Sequence, residues 1–316
     1  MFNKHQPHLT NSVLMVQPVD FGYNEQTGVD NEFQNRPSSY QTDSVRSQAN
    51  KEFNHSVEIL ANAGIDVLVL NKSHTEKPLP DAVFPNNWFS TQSNGNLIIY
   101  PMKTPNRQDE VQISQLVTLA NSRDYQVNEI IDLRQSINET SPLEGTGSLI
   151  FHHPTNRLFA AISERCVESS LETFANQFGY ELIKFETSSQ QGSPIYHTNV
   201  LMSCGEDFAV ITRDIIKSTQ QEYLLDSLSD CINEIIIINE QQMSETFCGN
   251  ILQLKDHNNQ PVIILSGSAY DGFNPNQIKQ LERHGSLIRL PIPTIEKVGG
   301  GSARCMLAEN FLPKKY

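Results

Sequence analysis

Ser148-Leu-Ile-Phe-His-His-Pro-Thr-Asn-Arg-Leu-Phe-Ala-Ala-Ile-Ser-Glu-Arg-Cys-Val-Glu-Ser-Ser-Leu-Glu-Thr-Phe-Ala-Asn-Gln-Phe-Gly179 is the stretch from which the fold can be read. Ser148–Phe151 and Leu158–Ala161 are short apolar runs of strand length, separated by a turn at His152-His153-Pro154. Cys166, Leu171, Phe174 and Phe178 then mark one face of a helix that Gly179 stops. The order is strand, strand, helix.

The same alternation extends outward in both directions. Strand-like runs occur at Val13–Gln17, Asp66–Leu70 and Leu97–Tyr100 on one side. On the other side lie Val200–Ser203, Phe208–Ile211, Ile235–Ile238, Ile251–Leu254, Val262–Leu265 and Leu287–Leu290. Helical spacing marks Val45 to Ala63, the segment around Val111, Leu116 and Leu119, Asp214 to Leu228, and Pro275 to His284. Asn274 stands as the N-cap of the last, with Pro275 at its first position. Paired strands around each helix point to a repeated β-β-α-β unit, alike in pattern and not in sequence. The polar stretch from Gly22 to Thr42 is a long loop, where Asn24, Gln26, Asn31 and Gln34 are candidate contacts near a site; a plain solvated excursion is the competing reading.

Composition narrows the function class. The chain has 316 residues, 36 Asp+Glu against 23 Lys+Arg, and a net charge of −13. That balance argues against nucleic acid and anionic membrane surfaces as partners; Lys314-Lys315 is the nearest thing to a basic block. The hydrophobic fraction is 38%, with no run of membrane-spanning length and no apolar leader in MFNKHQPHLTNSV. Cys166, Cys204, Cys231, Cys248 and Cys305 are odd in number and lack metal-site spacing. A cytoplasmic protein with a single domain over residues 1–316 is the expectation, with the oligomeric state left open.

Cys305 follows the run Gly299-Gly-Gly-Ser-Ala-Arg, where glycines let backbone approach a ligand. A lone cysteine is more often a small buried hydrophobe, but the glycine loop sets this one apart as a candidate nucleophile. A cysteine nucleophile needs a histidine and an orienting carboxylate. His5, His8, His55, His74, His257 and His284 sit in polar or terminal surroundings and are expected to be solvated. His197, at the loop-to-strand junction of Tyr196-His-Thr-Asn, is the candidate base, with a structural histidine as the alternative. Glu144, in Glu144-Gly-Thr-Gly, is a candidate carboxylate on a weak local signal.

Together with Leu79-Pro-Asp-Ala-Val-Phe-Pro-Asn-Asn-Trp88, these segments resemble the guanidine-modifying superfamily. Its members include arginine deiminases, dimethylarginine hydrolases and amidinotransferases. Phe84-Pro-Asn-Asn-Trp-Phe-Ser and Gly299-Gly-Gly-Ser-Ala-Arg-Cys-Met look most like its citrulline utilization hydrolase branch. The resemblance implies a five-bladed α/β propeller of ββαβ repeats and no metal or organic cofactor. It places the nucleophile on Cys305, the acid/base on His197 and the orienting acid on Glu144. Substrate-side positions fall on Asp81, Asn86 and Asn87, and carboxylate-binding arginines on Arg107 and Arg165. Backbone N–H groups near Gly301 are the expected oxyanion contact.

Two departures from the family pattern stand out. Gly147 replaces a common acid, and Asn86-Asn87 replaces a pair that usually carries carboxylates. A guanidinium offers only N–H donors and suits carboxylates, whereas a ureido group adds a carbonyl acceptor that an amide can satisfy. The expected substrate is therefore a small amino acid, citrulline before arginine, although one asparagine of the pair could simply cap a turn after Pro85. Arginine deiminase or dihydrolase activity, amidino transfer, and a propeller that only binds are the alternatives.

Overall fold

The computed structural model describes residues 6–38, 42–71, 77–137 and 141–315. His5 and His74 lie outside the described residues, as does part of the Gly22–Thr42 loop. Strands β1 (Ser12–Val16) and β2 (Asp66–Leu70) pair in parallel around helix α1 (Thr42–Asn62). The next unit comprises β3 (Phe89–Thr91), β4 (Asn96–Ile99), helix α2 (Ile113–Ser122) and β5 (Glu129–Asp132). It is followed by β6 (Ile150–His152), β7 (Arg157–Ala161), α3 (Glu168–Phe178) and β8 (Glu181–Phe185). Then come β9 (Met202–Cys204), β10 (Phe208–Thr212), α4 (Ser218–Ser229) and β11 (Glu234–Ile238). The fifth unit is β12 (Leu252–Lys255), β13 (Pro261–Ser266), α5 (Pro275–Glu282) and β14 (Ser286–Leu290). Finally β15 (Ala308–Glu309) returns to pair antiparallel with β1, Leu14 opposite Ala308.

Each unit forms a three-stranded sheet with one antiparallel and one parallel pairing, giving five in all. The short strands β15, β3, β6, β9 and β12 are the inner ones: β15 meets β3, and β9 meets both β6 and β12. This is the five-bladed α/β propeller that the family resemblance implies, built on the repeated unit that the pattern shows. The middle strands are buried along nearly their whole length, as in β1 and β10, because one sheet face meets helices and the other meets neighbouring blades. The parallel outer strands are half exposed, as in β5 and β8. Phe174 of α3 packs against Tyr100 and Phe151 with ring centroids 5.8 and 6.1 Å apart. The helix thereby ties one blade to the next.

A short turn precedes each inner strand, and these turns meet. Pro85–Asn87 precedes β3, Gly145–Ser148 precedes β6, Thr198–Leu201 precedes β9, and Ala303–Met306 precedes β15. The Gly145 turn contacts both the Pro85 and the Thr198 turns, and the Pro85 turn contacts the Ala303 turn. The run Val200–Ser203, expected as one strand, is split between a helical turn and β9. The split places His197 at the head of a helical turn, where the sequence reading has it opening a strand directly.

Candidate active site

The converging turns bring the three expected catalytic residues to one end of the inner strands, all of them buried. Thr198 locks the histidine turn in place: its hydroxyl donates to Ser148 O at 2.7 Å and accepts from Ala161 N–H at 2.9 Å. His197 Nε2 lies 2.8 Å from Glu144 Oε2. Its Nδ1 edge faces Gly147, within 3.0 Å of where a Cβ would stand. Burial lowers the His197 pKa, against the pull of Glu144.

Glu144 is fully buried and remains charged. Burial opposes ionisation, but Arg165, His197 and Arg107 hold its pKa well below the ordinary carboxylate range. Its Oε1 accepts the Lys103 backbone N–H at 2.9 Å, and Arg165 Nη1 stands 3.6 Å from Oε2. Cys305 is 3% exposed. Burial raises its thiol pKa, offset in part by hydrogen bonding at Ser302, Asn250 and Asn199 and by the Arg304 charge. Arg304 is buried and pairs with Glu309 at 2.8 Å.

The asparagine pair is buried beside this group, and several of its polar atoms are unmatched. Asn86 Oδ1 and Nδ2, Asn87 Nδ2, Asp81 Oδ1 and Asn199 Oδ1 have no partner among the described residues. Buried polar groups are normally satisfied, so such a concentration marks where a ligand's own donors and acceptors would fit. The Asn87 amide has a defined orientation. Arg107 Nη1 donates to its Oδ1 at 2.7 Å, and a guanidinium can only donate. The Nδ2 therefore points the other way, 2.2 Å from a Cβ built on Gly147. This accounts for the glycine: an acid there would collide with the asparagine.

Arg107 spends most of its fork on the protein, through Glu110 at 3.0 and 2.9 Å and Phe84 O at 2.9 Å. In this arrangement it braces Asn87, whereas it was expected at a substrate carboxylate. Arg165 lies over the Tyr196 ring, 5.0 Å from its centroid, and pairs with Asp30. Gly301 adjoins Cys305: a Cβ there would lie 3.4 Å from Cys305 Cβ and 3.0 Å from the Phe84 ring.

The described part of the long loop, residues 22–38, packs onto these residues. Asn24 and Thr27 donate to Asp81 Oδ2 at 2.7 and 2.8 Å. Gln26 accepts from Asn106 N–H at 3.1 Å. Gln34 donates to Gly299 O at 3.1 Å, and Asn31 donates to Gly300 O. Asp30 joins Arg165 to Lys103, the latter at 2.7 Å. All four polar residues singled out in the loop thus hold the site-forming segments.

Two histidines depart from expectation. His8 is buried against the rings of His152 and His153, at 5.3 and 5.9 Å. His284 stacks on Phe208 and contacts Glu234 at 2.8 Å. His55 and His257 are exposed as expected. Sequence reasoning missed Asn199, Asn250 and Asp30. The faint signal for Asn250 was Gly249-Asn250 just ahead of an inner strand. Among the described residues no cluster of His, Cys, Asp and Glu could hold a metal ion, and no helix is long and apolar enough to cross a membrane.

Comparison with known proteins agrees with this architecture. The N-terminal domain of ArgZ bound to substrate, an arginine dihydrolase from the ornithine–ammonia cycle in cyanobacteria, superposes with a TM-score of 0.70 at 16% identity, covering 94% of this chain and 96% of that one. DDAH from Pseudomonas aeruginosa complexed with citrulline gives 0.64 at 13% identity, covering 96% and 99%. AgrE in its ternary complex with ornithine and NAD+ gives 0.72 at 16%, covering 96% of this chain and 40% of that one. No curated protein matches significantly in sequence. Fold and site define a guanidine-modifying propeller. A family model described as "N,N dimethylarginine dimethylhydrolase, eukaryotic" matches residues 17–312, and the chain belongs to that family. It is an enzyme of the C–N hydrolase class.

Proposed function

We propose that this chain, as one catalytic domain, hydrolyses the ureido group of citrulline to ornithine, ammonia and carbon dioxide. Cys305, as thiolate, attacks the ureido carbon, and backbone N–H groups near Gly301 meet the oxygen that takes up charge. His197 protonates the departing amine while Glu144 holds its ring and stabilises the imidazolium. His197 then deprotonates a water that releases the carbamoyl group from sulfur, the acid turning base. Arg165 receives the α-carboxylate once Asp30 yields its fork. Arg107 could serve the same carboxylate only by giving up part of its present bonding. Asp81 offers its unpartnered oxygen to a substrate N–H.

The observation that carries the choice of citrulline is the forced orientation of Asn87. Its inward N–H finds an acceptor in a ureido oxygen and would face another donor in a guanidinium. Asn86, with both polar atoms unmatched, can accept and donate alongside it. The buried Asp81 carboxylate supports arginine dihydrolysis as the second reading, since a carboxylate is a natural partner for a guanidinium. Product release with citrulline, arginine and methylated arginines assayed in parallel decides between them. The expected result is a kcat/KM for citrulline at least about tenfold above arginine, the cost of one mismatched hydrogen bond. Faster turnover of arginine overturns the substrate assignment. Cys305→Ala should abolish turnover of either substrate with the fold intact; substantial remaining hydrolysis overturns the mechanism.

A further inference from the structure

We infer that Asn250, which no catalytic motif includes, is the positioning residue that holds the Cys305 sulfur and stabilises it as a thiolate. The inference rests on Cys305 being the nucleophile and not on which substrate it attacks. Four of the five inner strands are preceded by a turn that supplies the site: Asn86-Asn87 before β3, Glu144 before β6, His197 before β9 and Cys305 before β15. Asn250 occupies the corresponding place before β12, completely buried. Gly249 lets it come so close: a Cβ there would stand 2.4 Å from Val200 O.

Asn250 grips the nucleophile turn at three points. Its carbonyl accepts from Arg304 N–H, and its Oδ1 from Cys305 N–H, both at 3.4 Å. Its Nδ2 donates to Asn199 O at 2.8 Å and to Cys305 Sγ at 3.2 Å. The orientation of this amide is forced, since the Asn199 carbonyl can only accept and the Cys305 N–H can only donate. Asn199 also reaches the sulfur, its Nδ2 at 3.3 Å, but its Oδ1 has no partner, so its amide is free to turn and accept from a thiol. Asn250 is fixed as a donor to sulfur. A fixed N–H donor favours the anion over the thiol, and it does so where Arg304, the nearest cation along the chain, is occupied by Glu309.

The test measures alkylation of Cys305 by iodoacetamide against pH, followed on its own peptide by mass spectrometry. The sulfur displaces iodide and the thiol proton passes to solvent, so the midpoint reports thiolate formation without any substrate. In Asn250→Asp, which keeps the shape and the acceptor but puts a carboxylate where the donor was, the midpoint should rise by about one pH unit or more. Asn250→Ala should raise it in the same direction and lower kcat about 10- to 100-fold with KM little changed. An unshifted midpoint in a folded variant overturns the inference. In the unmutated chain with 15N-labelled asparagine, a side-chain amide should titrate with the alkylation midpoint and cease to do so in Cys305→Ser; no titrating amide overturns it without any Asn250 variant. Failure to turn over citrulline, with the midpoint shift intact, would sink the substrate assignment and leave Asn250 in its role.

Discussion

The two ends of strand β6 bury ionisable groups on opposite terms. At the end where the strand begins, Glu144 keeps its charge inside the protein because His197, Arg165 and Arg107 surround it. At the other end, His152 and His153 sit with His8 among rings, including Phe151, 5.2 Å from His153, and Phe311, 5.7 Å away. There, burial drives the His8 pKa down to about 3, and neighbouring His152 adds to it; His152 and His153 move the same way. One end holds charge and unmatched polar atoms. The other holds neutral rings whose nitrogens meet the Thr155 hydroxyl, the Glu206 carbonyl, the Tyr180 hydroxyl and the His153 backbone N–H. Burial alone therefore does not distinguish a site from a core; unmatched polar atoms beside a held charge do.

Exchanging one histidine at each end is the sharpest way to break this comparison. His197→Gln should reduce kcat by about 100- to 10,000-fold, the range for loss of a general acid/base, while His8→Gln should change it less than about threefold. Equal losses in a steady-state assay would erase the distinction. Removing the charge at the active end comes next. Glu144→Ala leaves Arg165 and His197 without their buried anion and should cost about 3 to 5 kcal/mol in urea unfolding, together with most of the activity. An unchanged midpoint would mean that the buried carboxylate is not held as charged.

The far end predicts a smaller effect, readable as pH dependence. The folded-state pKa of His8 lies below its ordinary 6.5, so between those values the unfolded chain binds a proton that the folded chain does not. Stability therefore falls as pH drops below about 6.5, by roughly 1.4 kcal/mol per pH unit for each such histidine. His8→Gln should flatten the loss between pH 6.5 and 5 by about that amount per unit, measured by denaturant unfolding. An identical slope in both proteins would show that His8 is not buried neutral.

What the sequence made legible follows from burial on both faces. The middle strands read as continuous apolar runs, so β1, β7, β10 and β13 were found nearly to their ends. The edge strands β5 and β8 mix charged residues into a half-exposed surface, and β3 and β15 are too short to show a period. Val200, β-branched, read as strand because local preference could not reveal that Thr198 anchors a turn there. Cys305, His197 and Glu144 were legible through their motifs. Asn250 was not, since its importance lies in meeting a turn fifty-five residues away in sequence, and His8 misled because a polar terminal segment happens to pack against β6.

Closure of the ring has a consequence for biosynthesis. The antiparallel partner of β1 is β15, which comes after all the other strands, and Cys305 lies just before it. On a translating ribosome, β1, β2 and α1 emerge first yet must wait for β15, with one edge of their sheet exposed. Cys305, the proposed nucleophile, arrives with the strand that seals that edge. A chain stalled before Cys305 would thus carry Glu144 and His197 without the cysteine proposed to work with them, and on that proposal it would be inactive until the last strand is made.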